Sequence, residues 1–252
     1  MPIIKNTQVF DHRWEYDRQA KAHIYVKNGL NATVTAGTDT VISDLNGAQK
    51  YADVTGIGAT TTAVSTSIED NPAGTGAGYL IIQGVLAAPY YQICQEIIPL
   101  DGQSGITLKY DYFWINQARV DVANAGDIVV TIGGNDVSKI PAGRLSARST
   151  VFYMPGYDFD GNKYKPGRPH LWHGDVIKKQ AASCRLTLEG IEPLGSIWYE
   201  LDTRGLSASG TSSAEWDYHI SITAGAGGRV TANTDTNNLE ISAGFNIFLG
   251  VH

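Results

Sequence analysis

A strict two-residue alternation of apolar and polar side chains constrains the fold of this chain most. Over residues 106–114 the apolar positions are Ile106, Leu108, Tyr110, Tyr112 and Trp114, and the polar positions between them are Thr107, Lys109 and Asp111. Successive side chains of a strand point to opposite faces, so this pattern predicts a strand that is buried on one side only. The same alternation recurs over 184–189, 197–201 and 216–222.

Turn signals separate these runs, and helical periodicity is scarce. Pairs such as Asn28-Gly29 and Asp101-Gly102 favour tight turns. Only residues 14–22 and 175–182 could hold two helical turns. Many short strands with regular turns predict an all-β fold, an antiparallel β-sandwich of the jelly-roll type with an N-terminal arm and additional C-terminal strands.

Composition along the chain predicts five segments. Residues 1–30 are expected to form an N-terminal arm or the first strands, and 31–78 a Thr/Ala/Gly-rich excursion. Residues 79–202 hold the densest strand pattern and are the expected jelly-roll core. A polar linker or loop over 203–214 and a C-terminal β segment over 215–252 complete the prediction.

Charge and hydropathy exclude several classes of partner. The net charge is −6, and the longest basic run is the pair Lys178-Lys179. Binding to nucleic acid needs a clustered basic face, so we expect no nucleic-acid partner. No apolar run approaches the roughly 20 residues that cross a bilayer, and the N-terminus lacks the pattern of a secretory signal. We therefore expect neither membrane insertion nor export.

Candidate metal and catalytic residues are few. Several side-chain oxygens lie close to Gly161 in the sequence, on Asp158, Asp160 and Asn162. This pattern indicates either a calcium site or a plain Asp-Gly turn, and we prefer the turn. Apart from this possible Ca²⁺, no cofactor is expected. Cys94 and Cys184 lack metal or redox spacing and are expected to be buried free thiols, although a disulfide stays open.

No catalytic residue is assigned, and we expect a protein that is not an enzyme. The sequence lacks the Gly-x-Ser-x-Gly motif of a nucleophile elbow. A glycosidase or lyase would need two converging carboxylates. The closest pairs in sequence are Glu189 with Glu192 and Asp158 with Asp160.

Aromatic residues outside the expected core are the candidate ligand-contacting positions. These candidates fall in predicted loops or opposite the predicted core face, and they are Tyr90, Tyr164, Trp172 and Trp198, together with Phe113. Exposed rings of this kind stack on sugars or fill subunit interfaces. The sequence leaves both uses open.

The order of strand features resembles the carbohydrate-binding-type jelly rolls of phage virion proteins. The matching segments run from a glutamine-containing strand to a Gly-x-Ile-x-Tyr-like last strand: 91–97, 100–105, 106–114, 127–132, 184–190 and 195–199. Upstream, Asp11-His12-Arg13-Trp14 is similar to the Asp-Arg-Trp that opens many of these modules. The resemblance covers about half of the chain, which departs from the family over 155–175 and after 215.

This resemblance implies a virion structural protein, made in the host cytoplasm. The expected role is a capsid decoration, head-fibre or tail-fibre (tail-appendage) subunit that assembles with other virion proteins as a homo-oligomer, with a trimer favoured. A glycan-binding module that recognises a host surface is the alternative, and a glycosidase or lyase on a β scaffold is the third.

Overall fold

The computed structural model describes residues 22–45, 59–87, 91–164, 168–176, 182–193, 197–208, 212–217 and 222–250. For 22–26, 168–176, 182, 206–208, 212–217 and 248–250 the backbone alone is described. These described ranges contain sixteen strands and no helix, and every pairing between named strands is antiparallel. The all-β prediction is confirmed, whereas the jelly-roll connectivity stays a prediction.

Seven consecutive strands form what we call the central lobe. They are β3 (Thr61–Ser65), β4 (Tyr79–Leu86), β5 (Ile93–Pro99), β6 (Ile106–Thr107), β7 (Tyr112–Val120), β8 (Ile128–Ile132) and β9 (Asn135–Ile140). One sheet has the order β5-β4-β7 and the other the order β6-β3-β8-β9. The alternating residues of β4 and β8 bury one face of each strand, as the period-two pattern predicts.

The strands before and after this lobe form the outer lobe. They are β1 (Ala22–Val34), β2 (Thr40–Val41), β10 (Phe152–Tyr153), β11 (Arg168–Val176), β12 (Ala182–Ile191), β13 (Tyr199–Ala208), β14 (Ser212–Asp217), β15 (Gly227–Thr234) and β16 (Leu239–Gly250). Its two sheets have the orders β1-β16-β11-β14 and β10-β15-β12-β13, and β2 pairs with β15.

The first and last described strands lie side by side. Ala22 pairs with Gly250 and the register continues to Val34 opposite Leu239. Strands from the first two and the last of the predicted segments thus share one sheet. The boundaries of those segments stay a prediction.

Each lobe has its own hydrophobic core. The outer core contains Leu186, Val230 and Phe245 among its buried residues, and the central core contains Leu80, Trp114 and Val130. Burial of apolar surface is the dominant favourable term in folding, so each core stabilises the lobe that contains it.

Three residues join the lobes through buried polar contacts. Lys27 of β1, 5 % exposed, donates from Nζ to the main-chain oxygen of Asn116 in β7 at 2.5 Å. The Asn116 side chain donates to the Tyr153 carbonyl at 2.8 Å and accepts from the Tyr153 N–H at 2.9 Å. The Tyr153 ring packs against Phe113 and Trp114 at centroid distances of 5.2 and 5.0 Å. The junction is therefore a packed and hydrogen-bonded contact.

Candidate functional site

The four aromatic residues singled out from the sequence do not share one exposed surface in the described part of the chain. Tyr90 lies outside the described residues, and Trp172 lies in β11, where its backbone pairs with β14 and β16. Tyr164 is 4 % exposed and belongs to the outer core. The expectation of an exposed ring is wrong for Tyr164, and also for Phe113 at 2 % exposure, because packing inside the cores covers both rings.

Trp198 is half-buried and packs against the central core beside Tyr153, at the junction of the two lobes. The guanidinium carbon of Arg229 lies 4.2 Å from its ring centroid, and Tyr153 meets the ring edge-on at 6.3 Å. The Arg229 Nε donates to Glu189 Oε2 at 2.6 Å. One face of the indole is thus occupied by a cation–π contact, the usual arrangement of Arg over Trp. A sugar could stack only on what remains of the ring.

The Asp158 segment forms a closed turn. Asp158 is 7 % exposed, and its Oδ1 accepts from the backbone N–H groups of Asp160 at 3.0 Å and Asn162 at 2.7 Å. Its Oδ2 accepts from Asn162 Nδ2 at 2.9 Å, and Gly161 takes a positive φ of 83°. This carboxylate thus faces N–H donors of its own turn. Calcium binding by Asp158, Asp160 and Asn162 stays a prediction, and the searched residues contain no group of three His, Cys, Asp or Glu side chains that could hold a metal ion.

The carboxylates that a glycosidase would need are engaged with separate partners. Glu189 is bound to Arg229, as above, whereas Glu192 accepts from the Tyr199 hydroxyl at 3.2 Å. A small cavity of about 80 Å³ is lined by Glu192 and Tyr199 but not by Glu189. That the protein is not an enzyme stays a prediction.

Both cysteines are unpaired. Cys94 is half-buried, and Cys184 is fully buried in the outer core, where burial raises the pKa of its thiol to about 12. A thiol held protonated in this way is a poor nucleophile.

Four loops gather at one end of the central lobe, and we call this end the tip: residues 66–78, 100–105, 121–127 and 141–146. Asp70, with no exposed surface, joins three of them. Its Oδ1 accepts from the N–H groups of Ala77 at 2.9 Å and Ala125 at 2.7 Å. Its Oδ2 accepts from the Ser65 hydroxyl and the Gly126 N–H, and its carbonyl accepts from Gly102.

The surroundings of Asp70 favour its charged form. Burial alone would raise the pKa of this carboxyl, but the hydrogen bonds from Ser65 and the backbone amides outweigh it and hold the pKa below its usual range. An ionised carboxylate with several N–H donors forms strong, charge-assisted bonds. Asp70 therefore fixes the tip loops in one arrangement.

Asn124 fixes the fourth loop. Its Nδ2 donates to the carbonyls of Gly126 and Ile140, and its Oδ1 accepts from the Arg144 N–H at 2.9 Å. Its carbonyl accepts from the Gly143 N–H at 2.8 Å. Since Asn124 is 3 % exposed, these contacts are shielded from water.

On this fixed frame the tip presents branched aliphatic side chains to solvent. Ile68 is 65 %, Leu145 55 % and Val122 48 % exposed. Isolated exposed apolar residues are common, and these three have in common that their loops lie at the same end of the central lobe. The tip is the candidate functional site that the described geometry supports.

Sequence reasoning missed the tip. Composition places residues 66–78 in the predicted Thr/Ala/Gly-rich excursion, and the aromatic residues predicted as ligand contacts lie elsewhere. The available signal was Ile68-Glu69-Asp70-Asn71-Pro72, an aliphatic residue ahead of strong turn formers.

The molecule is thus an all-β protein built from antiparallel sheets in two lobes. No family model matches it, and no curated protein matches it. Among solved structures it is similar to a structure of the infectious bursal disease virus Gx strain, at 12 % identity over 92 % of this chain and 72 % of that one, with a TM-score of 0.25. It is also similar to the VP2 subviral particle of infectious bursal disease virus, at 10 % identity over the same shares of the two chains and the same TM-score.

A third similar structure is the tandem CBM22-1-CBM22-2 domain of Xyn10C from Paenibacillus barcinonensis. Its identity is 9 % over 91 % of this chain and 93 % of that one, with a TM-score of 0.25. In the described residues, no helix is long and apolar enough to span a membrane.

Proposed function

We propose that this protein is a structural component of a virus particle, a capsid decoration, head-fibre or tail-appendage subunit, and that it acts by assembling with copies of itself and with other virion proteins. The observation that carries the proposal is the tip, where Ile68, Val122 and Leu145 are exposed on loops that Asp70 and Asn124 hold in place. The sequence resemblance to phage virion modules supplies the biological setting.

A rigid apolar surface is suited to assembly because little conformational entropy is lost when it is covered. Immobilising a side chain or loop on association costs free energy, and a surface ordered beforehand avoids part of that cost. The buried hydrogen bonds of Asp70 supply this order. Covering Ile68 and Leu145 then removes apolar surface from water, which favours association.

The tip carries charges of both signs, which is compatible with contact between copies of this chain. Glu69 and Asp101 carry negative charge and Arg144 carries positive charge, and all three are exposed. A surface that holds both signs beside apolar residues can complement itself in a closed ring of subunits. We favour a trimer.

Substitution at the tip tests the proposal. The Ile68→Glu variant places a charge on the most exposed of the three aliphatic tip residues, and we expect it to shift the purified protein from oligomer to monomer in light scattering at micromolar concentration. The control is Ile197→Glu, which changes an isoleucine that is 77 % exposed on the outer lobe. An oligomer of unchanged mass in Ile68→Glu, with Leu145→Glu giving the same result, would contradict a role for the tip.

Glycan recognition is a second candidate function. It is favoured by the outer surface of the β5-β4-β7 sheet, where polar side chains form no hydrogen bonds within the described part of the chain. This surface is a different site from the aromatic residues singled out from the sequence.

A further inference from the structure

The outer surface of the β5-β4-β7 sheet presents an ordered set of side chains that we call the glutamine face. Its members occupy alternate positions along each of the three strands: Tyr79, Ile81 and Gln83 on β4, Gln95 and Ile97 on β5, and Gln117 and Arg119 on β7. Ile97 is 61 % and Tyr79 43 % exposed, and the remaining members are half-buried.

Strand register arranges these residues in rows across the sheet. Gln83 pairs with Gln95 on one side and with Gln117 on the other. The next row places Ile81 between Ile97 and Arg119. Neighbouring strands lie about 4.8 Å apart, so each row of three spans roughly 10 Å.

The polar groups of this face have no partners within the described part of the chain. No hydrogen bond or ion pair there involves the side chains of Gln83, Gln95, Gln117 or Arg119. An amide offers two donor hydrogens and an acceptor oxygen, and a guanidinium offers five donor hydrogens. Half-buried groups of this kind form a surface that is prepared for hydrogen bonds with a bound molecule.

We propose that the glutamine face binds an extended glycan that carries carboxylate groups, such as a uronate- or sialate-containing chain. This proposal rests on glycan recognition, the second candidate function above, and adds the binding surface and the chemical class of the glycan. The row of three amides would contact sugar hydroxyls, which are donors and acceptors as amides are. Tyr79 would stack on a sugar ring, and Ile81 with Ile97 would contact its C–H surface.

Charge favours an anionic glycan over a neutral one. Arg119 is the only charged member of the face, and a guanidinium binds a carboxylate through two parallel hydrogen bonds. Asp121 follows directly after the end of β7, and its Oδ1 already accepts from the N–H groups of Gly78 and Tyr79 at 3.1 Å. Asp121 thus has part of its charge compensated at the edge of the face.

Binding to a glycan panel tests the proposal. The panel holds uronate- and sialate-containing oligosaccharides, each beside its carboxyl-reduced form, and calorimetry follows the probe that binds best. We expect Arg119→Ala to weaken binding of the charged form by about tenfold or more and to leave the reduced form unchanged. Gln83→Ala should weaken both forms by roughly two- to tenfold.

Matched controls separate this site from the tip. Lys139→Ala removes a positive charge from the opposite sheet, and Ile68→Glu alters the tip, and both variants should bind the charged glycan as the parent protein does. The proposal is overturned if the parent protein binds no member of the panel, or if Arg119→Ala binds the charged and reduced forms with unchanged affinity. It is overturned as well if Gln83→Ala changes the oligomeric mass, since the face would then be a subunit contact.

Discussion

The buried amine of Lys27 makes the stability of the protein depend on pH in a defined way. Burial lowers the pKa of this group to about 7, from the ordinary value of 10.5. Between these two values the unfolded chain holds a proton on Lys27 that the folded protein has lost. Stability rises with pH wherever the unfolded state binds more protons. Below about pH 7 both states are protonated, and the full cost of the buried ammonium is present.

The size of the effect follows from proton linkage. One proton of difference corresponds to about 1.4 kcal/mol per pH unit. With half of the folded molecules still protonated at pH 7, the free energy of unfolding should gain roughly 1.5 kcal/mol between pH 7 and about pH 8.5. The Lys27→Met variant replaces the amine with an apolar chain of similar length, so it should lack this gain.

Urea unfolding of both proteins across this pH range measures the difference. Cys94 and Cys184, whose pKa values burial raises, act in the opposite sense as the pH increases. They are present in both proteins, and the comparison between parent and variant removes their contribution. Lys163→Met, which removes an exposed lysine, serves as the control and should keep the slope of the parent. Equal pH slopes in the parent protein and Lys27→Met would refute the reasoning.

Two further substitutions test the tip and the outer lobe. Asp70→Asn should lower the free energy of unfolding by about 2–4 kcal/mol. The amide NH₂ of the asparagine would face the Gly126 N–H, which donates a hydrogen bond to the Asp70 carboxylate in the parent protein. Since the pKa of Asp70 lies below its usual range, the loss of stability in Asp70→Asn should be complete above about pH 4 and shrink as the pH falls through the folded-state pKa. Urea unfolding at pH 7 and at low pH measures this loss. An equal loss at both pH values would contradict the role of the ionised carboxylate. Gly29→Ala should cost about 3 kcal/mol in thermal or urea unfolding, because a Cβ there would lie 2.2 Å from the Ile42 carbonyl oxygen. A variant as stable as the parent would contradict this close contact between β1 and Ile42.

Local patterns in the sequence predict some strands and miss the bounds of others. The alternation over 184–189 lies within β12, as predicted. The prediction of one strand over 106–114, buried on one side only, is wrong, because the chain leaves one sheet after β6 and enters the other at β7, whose first five residues are all buried. Side-chain periodicity is a property of a single strand, and it can be read without knowledge of the neighbouring strands.

Pairing between distant strands could not be read in this way. Nothing local in 22–34 indicates that β1 lies beside β16, because sheet partners are chosen by the burial of whole faces. The three glutamines of the glutamine face are separated by 12 and 22 residues in the chain, and the register alone brings them into one row. A one-residue slip would turn any of them into the core.

Burial of aromatic rings was also hard to predict. Tyr164 follows a polar turn, and its sequence context predicts exposure, but the turn closed by Asp158 places the ring in the outer core. Conversely, Ile68 lies in a segment with weak periodicity and is exposed, because the buried Asp70 nearby fixes the loop. Both outcomes depend on a carboxylate that accepts backbone hydrogen bonds, which composition does not reveal.

The central claim is that the chain functions by assembly, and the mass of the purified protein in solution tests it most directly. Light scattering coupled to size-exclusion chromatography at micromolar concentration should give a mass of three times the 27.1 kDa of one chain, or another closed multiple. A single species with the mass of one chain over the same concentration range would contradict the claim.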